Sequence, residues 1–304
     1  MERDGVDGGG CVGVSDDVTE ATGDDVTEAT GDERADGESG GDEAGDDASN
    51  VALTVSNATR SFGDVGVFSD LSFTVERGEL FALVGPNGSG KSTLLEVLAG
   101  VRPADSGSVA VSRRAAGVRD VGYLPQRPAF RAGFSVRDTL QFYSQFLDGV
   151  GDDEVTETLE RVGLAGVADR KVGSLSGGMT RLLGLGQAVL GDPAVVVLDE
   201  PGSGLDPAMV ERLFSVVGEL AASGSAVVVA SHELPAIEAH ADTVAVLDRG
   251  SFVARDAPAS LLTATESSSL SEAFLRLVEA DAGSVTVRAD AAAATGGTEG
   301  GGDR

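Results

Sequence analysis

The stretch Leu80-Phe81-Ala82-Leu83-Val84-Gly85-Pro86-Asn87-Gly88-Ser89-Gly90-Lys91-Ser92-Thr93 decides the fold. Its first five residues form an unbroken apolar run of strand length, the kind buried on both faces of a parallel sheet. Glycines follow, and Lys91, Ser92 and Thr93 then open a helical pattern at Leu94 and Leu95. Strand, glycine-rich loop and helix in that order is the context of a phosphate-binding loop. Glycines let the backbone curl until successive N–H groups face one anion, and the helix start adds its positive end. Lys91 is placed to reach β and γ phosphates, and Ser92 to offer its hydroxyl to Mg²⁺. A glycine-rich turn ahead of an ordinary helix is the alternative. The full spacing argues against it, as does the placing here of one of only two lysines in the chain.

Outward from that loop, strand-like and helix-like segments alternate. The pattern predicts strands at Ala52–Ser56, Leu71–Val75, Leu80–Val84, Val121–Leu124, Ala194–Leu198, Ala226–Ala230 and Thr243–Leu247. It predicts helices over 91–99, 135–147, 153–162, 177–190, 207–222 and 233–239. Such alternation specifies an α/β fold with a mostly parallel sheet and helices on both faces. One domain is expected over 50–280.

The flanks differ in composition. Residues 1–49 hold 17 acidic residues against two arginines, repeat the octapeptide DDVTEATG at 16–23 and 24–31, and contain no aromatic residue. This composition reads as a disordered acidic tail, and a second disordered tail is expected over 281–304. The whole 304-residue chain carries a formal net charge of −28. That charge repels phosphates and argues against a nucleic-acid partner. No run approaches the ~20 apolar residues of a membrane span, and the acidic N-terminus is unlike a secretory signal. The single cysteine, Cys11, cannot form an internal disulfide and suits a reducing compartment. Many carboxylates with few lysines suggest a halophile, and a haloarchaeal source is expected. At molar salt the screening length is ~3 Å, which quenches surface self-repulsion.

A second motif is Val195-Val196-Val197-Leu198-Asp199-Glu200, a buried strand ending in two carboxylates. Asp199 suits Mg²⁺. Glu200, one residue on, suits a general base facing water. A third, Leu175-Ser176-Gly177-Gly178-Met179, opens a helix whose free N–H groups suit another anion.

With Tyr123-Leu124-Pro125-Gln126, Ser203-Gly204-Leu205-Asp206 and His232, these motifs resemble, in order and spacing, the ATP-binding subunit of an ABC transporter over about 53–255. The resemblance implies a P-loop fold with an antiparallel β subdomain and a helical signature subdomain over about 126–190. It implies ATP and Mg²⁺ as cofactors, with residues 85–93 cradling the phosphates and Ser92, Gln126 and Asp199 holding the ion. Phe62 stands where the family stacks an aromatic on adenine, though it also reads as a core phenylalanine. Lys91, Gln126, Glu200 and His232 are the implied catalytic set. Ser176, Gly177 and Gly178 look like the signature that caps the γ-phosphate on an opposing subunit, and Asp206 like the loop crossing that interface. Two departures stand out. Arg181 and Leu182 occupy positions where a glutamine–arginine pair is common, and Gly202 follows Pro201 where threonine is usual.

The implied assembly is a homodimer, or a pairing with a related ATPase subunit, on the cytoplasmic face of the membrane with a separate integral membrane permease. The short segment between the phosphate loop and Gln126 is similar to exporter-type subunits, among them multidrug and haem-export ATPases. Residues 231–240 are similar to subunits assisting copper-centre maturation of nitrous oxide reductase. The competing reading is a soluble ATPase of the same family acting on ribosomes or DNA, which the charge and the lack of a coiled-coil insertion disfavour.

Overall fold

The computed structural model describes residues 50–112 and 120–280. The segments 1–49, with the repeat and Cys11, and 281–304 lie outside the described residues, and so do the expectations of disorder attached to them.

Two sheets form the described fold. A three-stranded antiparallel sheet has the order β2-β1-β4, where β1 is Val51–Phe62, β2 is Val65–Glu76 and β4 is Ser106–Val111. A six-stranded sheet has the order β5-β6-β7-β3-β8-β9. Its strands are β5 (Val121–Leu124), β6 (Val195–Asp199), β7 (Ala226–Ala230), β3 (Leu80–Val84), β8 (Thr243–Asp248) and β9 (Ser251–Asp256). The first five run parallel, and β9 pairs antiparallel with β8 at the edge.

The two-residue period of a strand explains the unbroken apolar runs. Ala82, Val84, Val196, Leu198, Val227 and Val229 face one core, which also holds Leu183, Leu185 and Phe214 of the helices. Their neighbours Phe81, Leu83, Val195, Val197 and Val228 face a second core, shared with Leu53, Val55 and Leu95. Both faces are covered, so neither position in the alternation is polar. Phe73 of β2 stacks on Phe81 of β3 with centroids 5.3 Å apart, joining the two sheets.

Helices α1 (Lys91–Leu98), α2 (Val136–Ser144), α3 (Asp152–Arg161), α4 (Gly177–Val189), α5 (Pro207–Ala222), α6 (Leu234–His240) and α7 (Pro258–Thr265) fill the connections, and residues 270–280 are also helical. Local chemistry sets their starts. Ser135 and Asp138 form a reciprocal capping box on α2, Ser176 caps α4, and Asp206 caps α5 with Pro207 at the first helical position. One close approach places the site. A Cβ added to Gly122 of β5 would lie 1.8 Å from the carbonyl oxygen of Ala188, so α4 rests directly on the strand backbone.

The predicted elements are present with ends moved by a few residues; β1 and β2 run well beyond their predicted spans. Four elements carry no strong sequence signal. Strand β4 reads SGSVAV and is largely exposed, so it lacks apolar alternation. Strand β9 is an exposed edge, and α7 and the helix over 270–280 pack at the periphery.

Candidate functional site

In a parallel sheet all the carboxyl ends leave the same edge, and that edge is where α/β proteins bind ligands. Here β3 delivers the loop 85–93, β5 delivers Gln126, β6 delivers Asp199 and Glu200, and β7 delivers His232. Asn87, Gly88, Gly90, Lys91, Ser92, Thr93, Gln126, Glu200 and His232 line one cavity of about 390 Å³, with Val67 of β2 on its wall. Gly90 sits at the start of α1 with φ +104°, a conformation open to glycine and strained for other residues.

Lys91 is 7% exposed. Its Nζ donates to the carbonyls of Gly85 at 2.7 Å and Pro86 at 2.9 Å, which supports the curl of the loop. Burial lowers its pKa from the usual lysine value, while the carboxylates of Glu200 and Asp199 oppose that shift. Ser92 Oγ donates to Oδ1 of Asp199 at 3.2 Å. Asp199 is 3% exposed, and burial raises its carboxyl above the usual range.

Glu200 is also 7% exposed and pushed up by burial, with His232 and Lys91 pulling the other way. Its backbone lies in the left-handed region at φ +50°. For a residue with a side chain this costs on the order of 1–3 kcal/mol and persists only where the surroundings impose it. Three contacts do so. The Glu200 N–H donates to the carbonyl of Ala230 at 2.8 Å, and the Glu200 carbonyl accepts from the Ser203 N–H at 3.2 Å and from Arg181 Nη1 at 2.6 Å. His232 Nε2 stands 3.0 Å from Oε1, within ion-pair distance but out of line for a hydrogen bond. The His232 N–H reaches Oε2 at 3.3 Å.

Other expected site residues fall outside this cavity. Ser176, Gly177 and Gly178 begin α4, and Gly178 packs toward Leu205 and Met209, beside Asp206. The glycine pair and Asp206 therefore neighbour each other, not Lys91. Phe62 is 45% exposed, so it is not a core residue. It does not line the cavity, and the guanidiniums of Arg60 and Arg102 lie 5.1 and 5.0 Å from its ring centroid. His240 stacks on Phe214 away from the site. Two residues of the site had no motif to mark them. Val67 lies on a weakly patterned strand, and Arg181 was visible only as a departure from the common pattern.

The arrangement can hold a polyphosphate against backbone N–H groups and a buried ammonium, present oxygen donors to a cation, and aim a buried carboxylate at water. The sequence matches the ABC transporter family over residues 68–203. It is 35% identical over 224 residues to the Nod factor export ATP-binding protein I of Rhizobium sp. (strain N33), covering 70% of this chain and 73% of that protein. The fold superimposes on a solved ATP-binding subunit of an ABC transporter with TM-score 0.67 and 25% identity, over 75% of this chain and 99% of that one. It also superimposes on an ATP-binding cassette solved in its ADP conformation, with TM-score 0.61 and 26% identity, over 71% and 94% of the two chains. On this evidence the chain belongs to the ABC transporter family as an ATP-binding, ATP-hydrolysing subunit that powers transport.

Proposed function

We propose that the chain binds ATP with Mg²⁺ on residues 85–93, hydrolyses it with Glu200 as base, and works as a head-to-tail pair beneath an integral membrane permease. The observation that carries this reading is the convergence of Lys91, Ser92, Gln126, Glu200 and His232 on one cavity, with Asp199 hydrogen-bonded to Ser92. Ser92 and Asp199 are hard oxygen donors 3.2 Å apart and fit a magnesium ion, with Gln126 nearby. That ion, when bound, neutralises charge on the β and γ phosphates. Lys91 holds the same oxygens. Glu200 takes one proton from water as the water oxygen bonds to the γ-phosphorus. The bond from phosphorus to the bridging oxygen breaks, leaving ADP and inorganic phosphate. His232, beside Glu200, orients the carboxylate and faces the γ-phosphate.

A pair of chains is favoured because Ser176–Gly178 and Asp206 lie together but away from their own chain's cavity. A second copy supplies them to the first. ATP then closes the pair and hydrolysis releases it, a ligand-driven shift between two states. Among the described residues no helix is long and apolar enough to cross a membrane, so transport requires a permease, with this subunit on the cytoplasmic face. We place the permease contact at the pocket of about 320 Å³ lined by Phe130, Arg131, Phe134, Phe142 and Tyr143, close after Gln126. Phe146, 71% exposed, extends that aromatic surface. Exposed apolar patches of this kind mark protein contacts. The name of the rhizobial relative favours export as the direction; no cargo is assigned. The chain's acidity favours a halophilic source and assay in concentrated salt. The test is gel filtration of Glu200→Gln with ATP and Mg²⁺. A stable dimer that dissociates on removing ATP is expected, and a persistent monomer with bound ATP contradicts the paired arrangement.

A further inference from the structure

Arg181 lies on α4, five residues beyond the cap Ser176. Its Nη1 donates to the carbonyl of Glu200 at 2.6 Å and its Nη2 to the carbonyl of Gln126 at 2.9 Å. These carbonyls belong to separate loops, one after β6 and one after β5. Both loops line the same cavity. The planar guanidinium is suited to this, since its donors point in fixed directions and hold two acceptors at a set separation. A lysine ammonium is a point charge on a flexible stem and does not.

Helix α4 is held down independently. Gly122 lets it rest on β5, and Leu183 and Leu185 bury in the core. Arg181 therefore projects from a well-seated helix and bridges two loops that follow the neighbouring strands β5 and β6. Five helical residues span ~7.5 Å, so the start of α4 and Arg181 move together. Arg181 also accounts for one of the three contacts that keep the Glu200 backbone at its left-handed φ.

We propose that Arg181 is a positioning residue for hydrolysis: its two-carbonyl clamp sets Gln126 and Glu200 relative to each other and makes them follow α4. The inference rests on the roles proposed above for Glu200 and Ser176–Gly178. Its consequence is communication between the two nucleotides of a pair. When the start of α4 engages the ATP held by the opposing chain, the same helix, through Arg181, draws this chain's own carboxylate and glutamine into register.

The test measures steady-state ATPase activity, nucleotide binding and thermal melting of the full chain in molar KCl with Mg²⁺. It compares the wild type with Glu200→Gln, Arg181→Met and Arg181→Lys. Arg181→Met keeps an unbranched stem and removes the donors; kcat is expected to fall about 10- to 100-fold, the scale of a small misplacement of reacting groups. KM for ATP should stay within about twofold, since ground-state binding is untouched. Arg181→Lys should fall between the wild type and Arg181→Met, because an ammonium on a flexible stem keeps donors but lacks the fixed fork that spans carbonyls on two separate loops. An unchanged kcat in Arg181→Met, a wild-type kcat in Arg181→Lys, or a loss confined to KM overturns the clamp. If Arg181→Met does not fold, the lysine variant decides alone by the same criteria. An active wild type with inactive Glu200→Gln and normal Arg181 variants removes the clamp and leaves the proposed function standing. A wild type without ATPase activity removes both.

Discussion

His232 meets Glu200 twice, through Nε2 at 3.0 Å from Oε1 and through its backbone N–H at 3.3 Å from Oε2. The two residues follow adjacent parallel strands, β7 and β6. The backbone contact survives any substitution of the side chain and the imidazole contact does not. His232→Ala should therefore retain ATP binding and lose turnover, by about 10²-fold or more, the scale seen when one preorganised polar group is removed. Because His232 pulls the raised Glu200 pKa back down, its loss should also move the acidic limb of the kcat profile to higher pH. Phosphate release measured against pH checks both.

The burial of Glu200 fixes the sign of a stability effect. Its folded pKa lies above the ordinary glutamate value, so the folded state holds the proton more tightly than the unfolded chain. That contribution is present below the ordinary pKa of ~4.3 and is lost as pH rises through the folded value. Glu200→Gln mimics the protonated side chain at every pH. In nucleotide-free melts at pH 7–8 the variant should melt above the wild type, with each kcal/mol worth roughly 2–4 °C for a domain of this size. The two curves should converge near pH 4. A variant that melts lower at neutral pH contradicts the stated environment of Glu200.

Gly122 tests the architecture that places the site. Its added Cβ would meet the Ala188 carbonyl at 1.8 Å and the Ala188 carbonyl carbon at 2.9 Å, both backbone atoms that cannot rotate away. Gly122→Ala must push α4 off β5, at a cost of about 1–3 kcal/mol as overpacking does. Arg181 would be carried with the helix, so kcat should fall as well. Thermal melting and turnover, measured together, check this.

Much of the site was legible because its pieces are contiguous. Residues 85–93, Asp199 with Glu200, and Ser231 with His232 each follow an unbroken apolar run, and a buried parallel strand announces itself in that way. What stayed hidden depends on distant approach. That Arg181 binds the carbonyls of residues 55 positions upstream and 19 downstream follows from the seating of α4 on Gly122. The flanking of Phe62 by Arg60 and Arg102 depends on β1 meeting the segment after α1, and no local pattern encodes it. Strand β4 escaped because its exposed SGSVAV lacks the alternation that burial on one face would impose.

The acidic segment 1–49 contributes −15 to the formal charge, over half of the total. Its composition predicts no part in the catalytic fold. Deleting it should leave kcat within about twofold in molar KCl and reduce the salt needed for stability, since self-repulsion falls with net charge. Melting temperature and ATPase activity across a KCl series check this. Loss of folding on deletion contradicts the expectation.

Glu200 is the group through which this chain is proposed to cut ATP with water. The most direct test is phosphate release by the purified wild type and Glu200→Gln, in molar KCl with Mg²⁺, alongside ATP binding by both. Both proteins should bind ATP, and only the wild type should release phosphate, the variant being slower by about 10²–10⁴-fold as the loss of a general base requires. Equal rates from the two proteins contradict the account.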